Sequence, residues 1–358
     1  MNLKFRNKKI TGILAILPEV EINFEEEIDN YTFSKGQSMK LKSIMGYGKR
    51  RVVKKGTTVS DLCVFGMNHL FDNGLLKKED IDAIVLITQS PDYLVPGTSY
   101  VIHGRLDLKE DIICMDINQA CAGYCVGLNQ AFMLLEQDEI NKVVVMNADV
   151  RSSRVSVNDR SLGPLIGDGA AITIVENDSL NKVINGSWNS NGKGIDSIMI
   201  PAGGYKMPSS EETAKPVMDS NGNLRALDHL TMKGDKVFNF VLREVPLMVR
   251  KLLNISGIKE DEIDYYIFHQ PNKFILKKLA DKMGISYNKM PNNVVGNFGN
   301  SSSATIPICL AYNLETKLLN QTFLFCLGGF GAGLSWTSLV MTIGKLDFCE
   351  IVEHKLEK

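Results

Sequence analysis

Three small-residue turns carry side chains able to do chemistry. Cys121 stands in Ala120-Cys121-Ala122-Gly123-Tyr124, between an apolar run at 111–117 that reads as a strand and a helical stretch at 126–136. At such a junction the unpaired helix N–H groups and the positive dipole end favour thiolate over thiol, which makes a nucleophile. A small, inert core thiol is the competing reading. His269, in Phe268-His269-Gln270-Pro271-Asn272, ends the apolar run 265–267, at the carboxyl edge where open α/β sheets gather ligands. Alone it reads better as a satisfied core histidine. Asn300 lies in the turn Gly296-Asn297-Phe298-Gly299-Asn300-Ser301-Ser302-Ser303, a composition also common in helix-capping loops. A fourth segment, Gly328-Gly329-Phe330-Gly331-Ala332-Gly333-Leu334, follows the run 323–327. Its glycines permit tight turns and close approach of main-chain N–H groups, the donors an oxyanion needs. It is a poor phosphate loop, because no Lys-Ser/Thr follows. No histidine pairs at ligand spacing with another histidine or a cysteine, so no metal is expected.

The elements that must position these turns repeat. Displacing the sequence by 182 residues sets Lys77 on Lys259, Ile81 on Ile263 and Asp82 on Asp264, each copy leading into an apolar run. The same displacement sets Cys121 on Ser303 and the run 143–146 on 325–328. One offset through three elements implies an internal duplication. Strands alternating with helices predict mixed, largely parallel sheets covered by helices. The chain therefore divides into residues 1–180, with the cysteine, and 181–358, with the histidine and the asparagine. Pseudo-twofold symmetry between them can bring Asn300 and Cys121 to a common cleft. The polar stretch 185–228 reads as loops over a shared face. A helix is predicted over 234–253, kinked or broken at Pro246.

Composition is that of an α/β protein, with 44% hydrophobic and 23% charged residues, and a formal net charge of -1 offers no field to recruit nucleic acid or an acidic membrane. Seven cysteines without a CxxC pair suit a reducing compartment. The basic residues Lys4 to Lys9 precede a short apolar stretch, 10–17, that reads as a buried strand and not as an export signal. No stretch approaches the roughly 20 apolar residues of a membrane span. The cytoplasm is the expected location.

Taken in order, the Cys121, His269, Asn300 and glycine-rich segments resemble the β-ketoacyl-acyl-carrier-protein synthase III family of thiolase-fold condensing enzymes. Leu17-Pro18-Glu19 and Ile166-Gly167-Asp168-Gly169-Ala170-Ala171 are also similar to that family. The resemblance implies a homodimer of five-layered αβαβα subunits, each built from two duplicated halves. It implies that Cys121 accepts an acyl group from a CoA or carrier-protein thioester. His269 and Asn300 would hold the malonyl thioester oxygen while decarboxylation generates an enolate, and backbone N–H groups of Cys121 and Ala332 would form the oxyanion hole. The enolate attacks the acyl-cysteine to give a 3-oxoacyl product. No cofactor is implied; CoA or phosphopantetheine thioesters are substrates, and an acyl-carrier protein is the partner.

The resemblance also frames departures. Lys40 and Ile44 stand where the family carries an adenine-sandwiching Trp and Arg, leaving Lys40 to meet a phosphate. Asp235 replaces a tunnel Asn, and Asn272 keeps the other tunnel amide. Val95 stands where a partner-subunit Phe often closes the acyl pocket, which favours a longer or branched primer over acetyl. Lys273 and Lys277, four apart on a helix face, suit docking of an acidic carrier, although Phe274 occupies the place of the main docking Arg. Acyl transfer without condensation is the first rival, and a non-catalytic thioester-binding scaffold the second. A hydroxymethylglutaryl-CoA synthase would need an acidic base near Cys121, and no matching Glu motif is present.

Overall fold

The structure is a computed structural model that describes residues 1–180 and 182–355. Residue 181, at the expected junction of the halves, and residues 356–358 lie outside the described residues.

Long apolar runs form the strands. In the first half these are β1 (Asn2–Arg6), β2 (Lys8–Pro18), β3 (Ala83–Ile87), β4 (Ile113–Ile117), β5 (Lys142–Asp149) and β6 (Gly169–Asn177). In the second they are β7 (Val183–Ser190), β8 (Tyr265–Phe268), β9 (Thr322–Gly331), β10 (Ser335–Gly344) and β11 (Phe348–His354). The helices are α1 (Lys35–Met45), α2 (Val59–Asp72), α3 (Thr98–Arg105), α4 (Gly123–Leu134), α5 (Gly234–Ser256), α6 (Lys273–Met283) and α7 (Thr305–Asn320). One sheet runs β11-β2-β6-β5-β3-β4 and the other β1-β7-β10-β9-β8.

The repeat is visible in three dimensions. β3 and β8, β5 and β9, and α4 and α7 correspond at the displacement of 182 residues. Even the 3-10 turns before the two helices match, Ala120–Ala122 and Ser302–Ala304, and each opens on a non-glycine residue with positive φ, Ala120 at 45° and Ser302 at 59°. The first turn follows the carboxyl end of β4 and the second a short helix, Val294–Phe298, and each immediately starts a helix.

α4 and α7 are packed between the two sheets and share one apolar core with both, including Tyr124, Leu128, Phe132, Ile308 and Leu314. α2 and α3 cover the outer face of the first sheet, and α5 and α6 that of the second. This is the expected five-layered, thiolase-like αβαβα order. The central helices must lie close to strands, and glycine makes room: a Cβ on Gly123 would stand 2.3 Å from Ile87, and one on Gly127 2.5 Å from the same side chain.

The halves exchange their terminal strands. β1 pairs antiparallel with β7, in the second sheet, and β11 pairs parallel with β2, in the first. Both termini thus cross a division at 180/181. Two smaller readings are corrected. The polar stretch begins inside strand β7, where the consecutive residues 184–187 are buried, before turning to loops. α5 continues unbroken through Pro246, because its apolar face, Val237, Val241, Val245 and Val249, stays buried on both sides of the proline.

Candidate active site

Cys121, His269 and Asn300 line one cavity of about 380 Å³. Cys121 comes from the 3-10 turn that opens α4, His269 from the residue after β8, and Asn300 from the segment before the matching turn of α7. A single short turn, Ser302–Thr305, touches all three. Ser302 Oγ lies 3.7 Å from the Cys121 sulfur. The Ser302 N–H donates to Asn300 Oδ1 at 2.9 Å, which leaves the carboxamide NH₂ as the group free to serve the cavity. Thr305 Oγ1 lies 2.8 Å from His269 Nδ1 and 2.8 Å from the Ser302 carbonyl, to which it can also donate.

That threonine decides the imidazole's role. When its one proton goes to Nδ1 and not to the Ser302 carbonyl, the ring proton sits on Nε2, where it can be given to an oxygen in the cavity. The ring is neutral: burial, and then the positive charge of Arg151, pull its pKa down to about 3. Phe330 holds the ring edge-on at 5.7 Å between centroids.

The thiol departs from expectation. Burial pushes Cys121 above the ordinary thiol value, against the lowering effects of Arg151 and the Ser302 hydroxyl. Asp149 pushes the thiol in the same direction as burial. Ser302 Oγ also reaches Gln89 Oε1 at 3.1 Å, so its single proton can serve the glutamine or a thiolate, but not both. These shifts set a pH dependence. Alkylation of Cys121 by iodoacetamide should keep rising with pH beyond about 8.5, the ordinary thiol value. Turnover at saturating substrate should show no break near about 6.5, where a free imidazole titrates. A break there that disappears in His269→Ala would contradict the neutral assignment.

The glycine-rich segment is not a loop at its start. β9 continues through Gly331, and its glycines serve close approach. A Cβ on Gly329 would stand 2.8 Å from the Ala122 Cα, and one on Gly331 2.8 Å from the Cys121 Cβ and 3.3 Å from its sulfur. Gly331 lines the cavity, whereas Ala332, on the alternate face of the strand end, lines a neighbouring pocket with Gln89 and Ala120.

Asp235 and Asn272 both line the cavity. Asn272 spends its Oδ1 on the Ile275 N–H as the N-cap of α6, so its NH₂ remains for a ligand. Val95 is 82% exposed and lines no pocket with the catalytic trio. Lys40 is exposed and lines neither the cavity nor the polar cleft beside it, which Met39, Lys42, Ser43 and Gly46 border. Lys42 in that cleft pairs with Glu25. Lys273 also borders the cleft, and Lys277 is exposed on α6, 5.5 Å from the centre of the Tyr287 ring. Phe274 turns inward, stacked on Phe238 at 5.6 Å in the cavity wall. Ser302, Thr305 and Arg151 were not singled out in the sequence. The displacement that sets Cys121 on Ser303 could have flagged the first two, and Arg151, just beyond the carboxyl end of β5, could have been flagged by its place.

A thiol, a neutral imidazole and a carboxamide around one cavity, on a twice-repeated αβαβα frame, define a condensing enzyme of the thiolase-like class. The profile of 3-oxoacyl-[acyl-carrier-protein] synthase III matches residues 115–192, and that of its C-terminal part residues 253–343. A β-ketoacyl-[acyl-carrier-protein] synthase III of Streptococcus agalactiae is 31% identical over 82% of this chain and 88% of its own. One of Fusobacterium nucleatum is 30% identical over 93% and 97%. The crystal structure of a 3-oxoacyl-(acyl-carrier protein) synthase from Burkholderia xenovorans superposes with a TM-score of 0.91 at 28% identity, covering 99% of each chain. The chain belongs to the β-ketoacyl-[acyl-carrier-protein] synthase III family.

Among the described residues no helix is long and apolar enough to cross a membrane, and no cluster of three His, Cys, Asp or Glu could hold a metal ion.

Proposed function

We propose that the enzyme joins an acyl primer to malonyl-acyl-carrier protein by decarboxylative Claisen condensation. The observation that carries this reading is the Ser302–Thr305 turn, which binds sulfur, carboxamide and imidazole into one cavity. Cys121 displaces CoA or carrier thiol from the primer thioester and becomes the acyl-cysteine. The malonyl thioester then loses CO₂, and the pair of electrons from the broken C–C bond forms an enolate. Asn300 Nδ2 and His269 Nε2 donate to its oxygen, a charge that exists only after CO₂ departs, so their stabilisation favours the transition state over the substrate. The carbanion attacks the acyl carbon, the tetrahedral oxyanion rests on the N–H groups of Cys121 and of the Gly331–Ala332 step above it, and the cysteine thiolate leaves. Simple acyl transfer has no use for a neutral imidazole and a carboxamide aimed at a second oxygen.

The apolar wall of Leu162, Leu165, Ile166, Ile198 and Leu230 supports a primer larger than acetyl. Asp235 and the Asn272 amide suit the amides of a phosphopantetheine arm, with no cofactor beyond the substrates. Homodimer formation is supported by the exposed apolar residues Tyr93, Leu94, Val95 and Tyr100, which would bring Val95 to the partner's cavity. Lys273 and Lys277 are the docking site for the acidic carrier, and the cytoplasm is the compartment.

The test is CO₂ release from malonyl-carrier protein in the presence of acyl-CoA and acyl-carrier primers. CO₂ should appear in step with a 3-oxoacyl-carrier product, and Lys273→Glu with Lys277→Glu should raise KM for the carrier substrate while leaving acylation by acyl-CoA intact. Primer turnover without CO₂ contradicts condensation, and an unchanged KM contradicts the docking assignment.

A further inference from the structure

The cavity contains a cation that the scheme above does not use. Arg151 follows β5 and is 7% exposed. Its main chain is fixed by Asp168, whose Oδ1 accepts the Arg151 N–H at 2.8 Å. The guanidinium lines the cavity with Cys121, His269 and Asn300. Nη2 donates to the Asn300 carbonyl at 3.2 Å, and Nε is buried without a hydrogen-bond partner.

Other enclosed arginines of this protein are matched by carboxylates. Arg50 holds Glu27, and Arg225 holds Asp159. Among the described residues Arg151 makes no ion pair. A guanidinium does not shed its proton, so a positive charge stays in a largely apolar chamber, where an uncompensated charge is costly. The buried carboxylate beside it makes no ion pair with it. Asp149 Oδ1 instead accepts the Gln89 N–H at 2.7 Å, and burial pushes its carboxyl up from the ordinary value. Cys121, once an acyl-thioester, carries no charge.

We infer that Arg151 is a specificity-determining residue whose guanidinium pairs with a carboxylate on the acyl group delivered to Cys121, so that the preferred primer is a short ω-carboxyacyl thioester. This deepens the proposed function and rests on it. The malonyl carboxylate is the poorer partner. An arginine bound to it would stabilise the substrate against the loss of CO₂, whereas a carboxylate at the far end of the primer survives the reaction. The guanidinium and the apolar residues Leu162, Leu165 and Ile166 share the same chamber, which suits a short methylene chain ending in an anion. A charge-assisted hydrogen bond in a dry site is the strong kind.

The test is the rate of Cys121 acylation, followed by intact-protein mass, with matched thioesters offered on both CoA and carrier protein. Succinyl and glutaryl donors are compared with 4-methylpentanoyl and 5-methylhexanoyl donors, which have the same shape without the charge. The native enzyme should favour the carboxyacyl donors by roughly tenfold to a hundredfold. Arg151→Leu should reverse the preference and Arg151→Lys should keep part of it, with iodoacetamide labelling reporting any change in the thiol itself. A native preference for the uncharged donors overturns the inference but leaves condensation standing. Equal slowing of both donor types in Arg151→Leu also overturns it, because that marks a role confined to the thiol or the fold. Absence of any adduct on Cys121 from all donors removes the nucleophile assignment, and this inference with it.

Discussion

Cys121→Ser should fold as the native chain does, form no acyl-enzyme, and lose turnover by a factor on the order of 10⁴ or more. The exchange is nearly isosteric, and among the described residues the only side-chain polar contact it touches is the 3.7 Å approach to Ser302 Oγ. A shift in melting temperature of no more than a few degrees is expected, since the change opens no cavity and buries no new unpaired charge. The chemistry is less tolerant. A hydroxyl in the same desolvated place would have to ionise several units above a thiol. In the proposed scheme His269 is not its base, because Nδ1 lies against Thr305 and Nε2 carries the proton offered to the second substrate's oxygen. Native-like acylation of the serine variant, measured by mass, would show that sulfur is not the acceptor.

Asn300→Asp should separate the two half-reactions. The aspartate retains an oxygen for the Ser302 N–H, now held at 2.9 Å, so the turn that presents Cys121 keeps its support. It replaces the NH₂ donor with an acceptor, and at neutral pH with a negative charge, at the place where enolate charge develops. Acylation of Cys121 should remain within a few-fold of native, while decarboxylation falls by roughly 10²- to 10³-fold, the usual effect of losing one oxyanion donor. His269→Ala should give a loss of the same order, and the double variant less than the product of the two, because the groups act on one oxygen. Equal damage to acylation and decarboxylation would assign Asn300 to the shape of the turn, not to the enolate.

Much of the frame could be read before any coordinates, for identifiable reasons. A duplication leaves a constant displacement in sequence, and the pairs Ile81/Ile263 and Asp82/Asp264 mark the same strand entry in each copy. Turns of small residues between apolar runs have few conformations open to them, so the placing of Cys121 and Asn300 at helix starts followed from local chemistry. The exchange of β1 and β11 between sheets is a matter of long-range pairing, which side-chain alternation does not specify. The glycines of β9 look like a loop in one dimension. Their use, close packing on Ala122 and Cys121, exists only once two halves of the chain meet. Burial likewise reversed the expected sign at Cys121, because the helix terminus is local and desolvation is not. No local motif in the sequence marks Arg151, since an arginine after a strand ordinarily reaches solvent.

The central claim is that Cys121, His269 and Asn300 act in one cavity to form a carbon–carbon bond. The direct measurement starts with enzyme acylated on Cys121, freed of donor and mixed with malonyl-carrier protein in a single turnover, with protein mass, CO₂ and carrier product followed together. The adduct should vanish as one CO₂ is released and a carrier-bound 3-oxoacyl chain two carbons longer appears. Transfer of the unaltered acyl group to the carrier, or its release as free acid, with no CO₂ formed, would contradict the account.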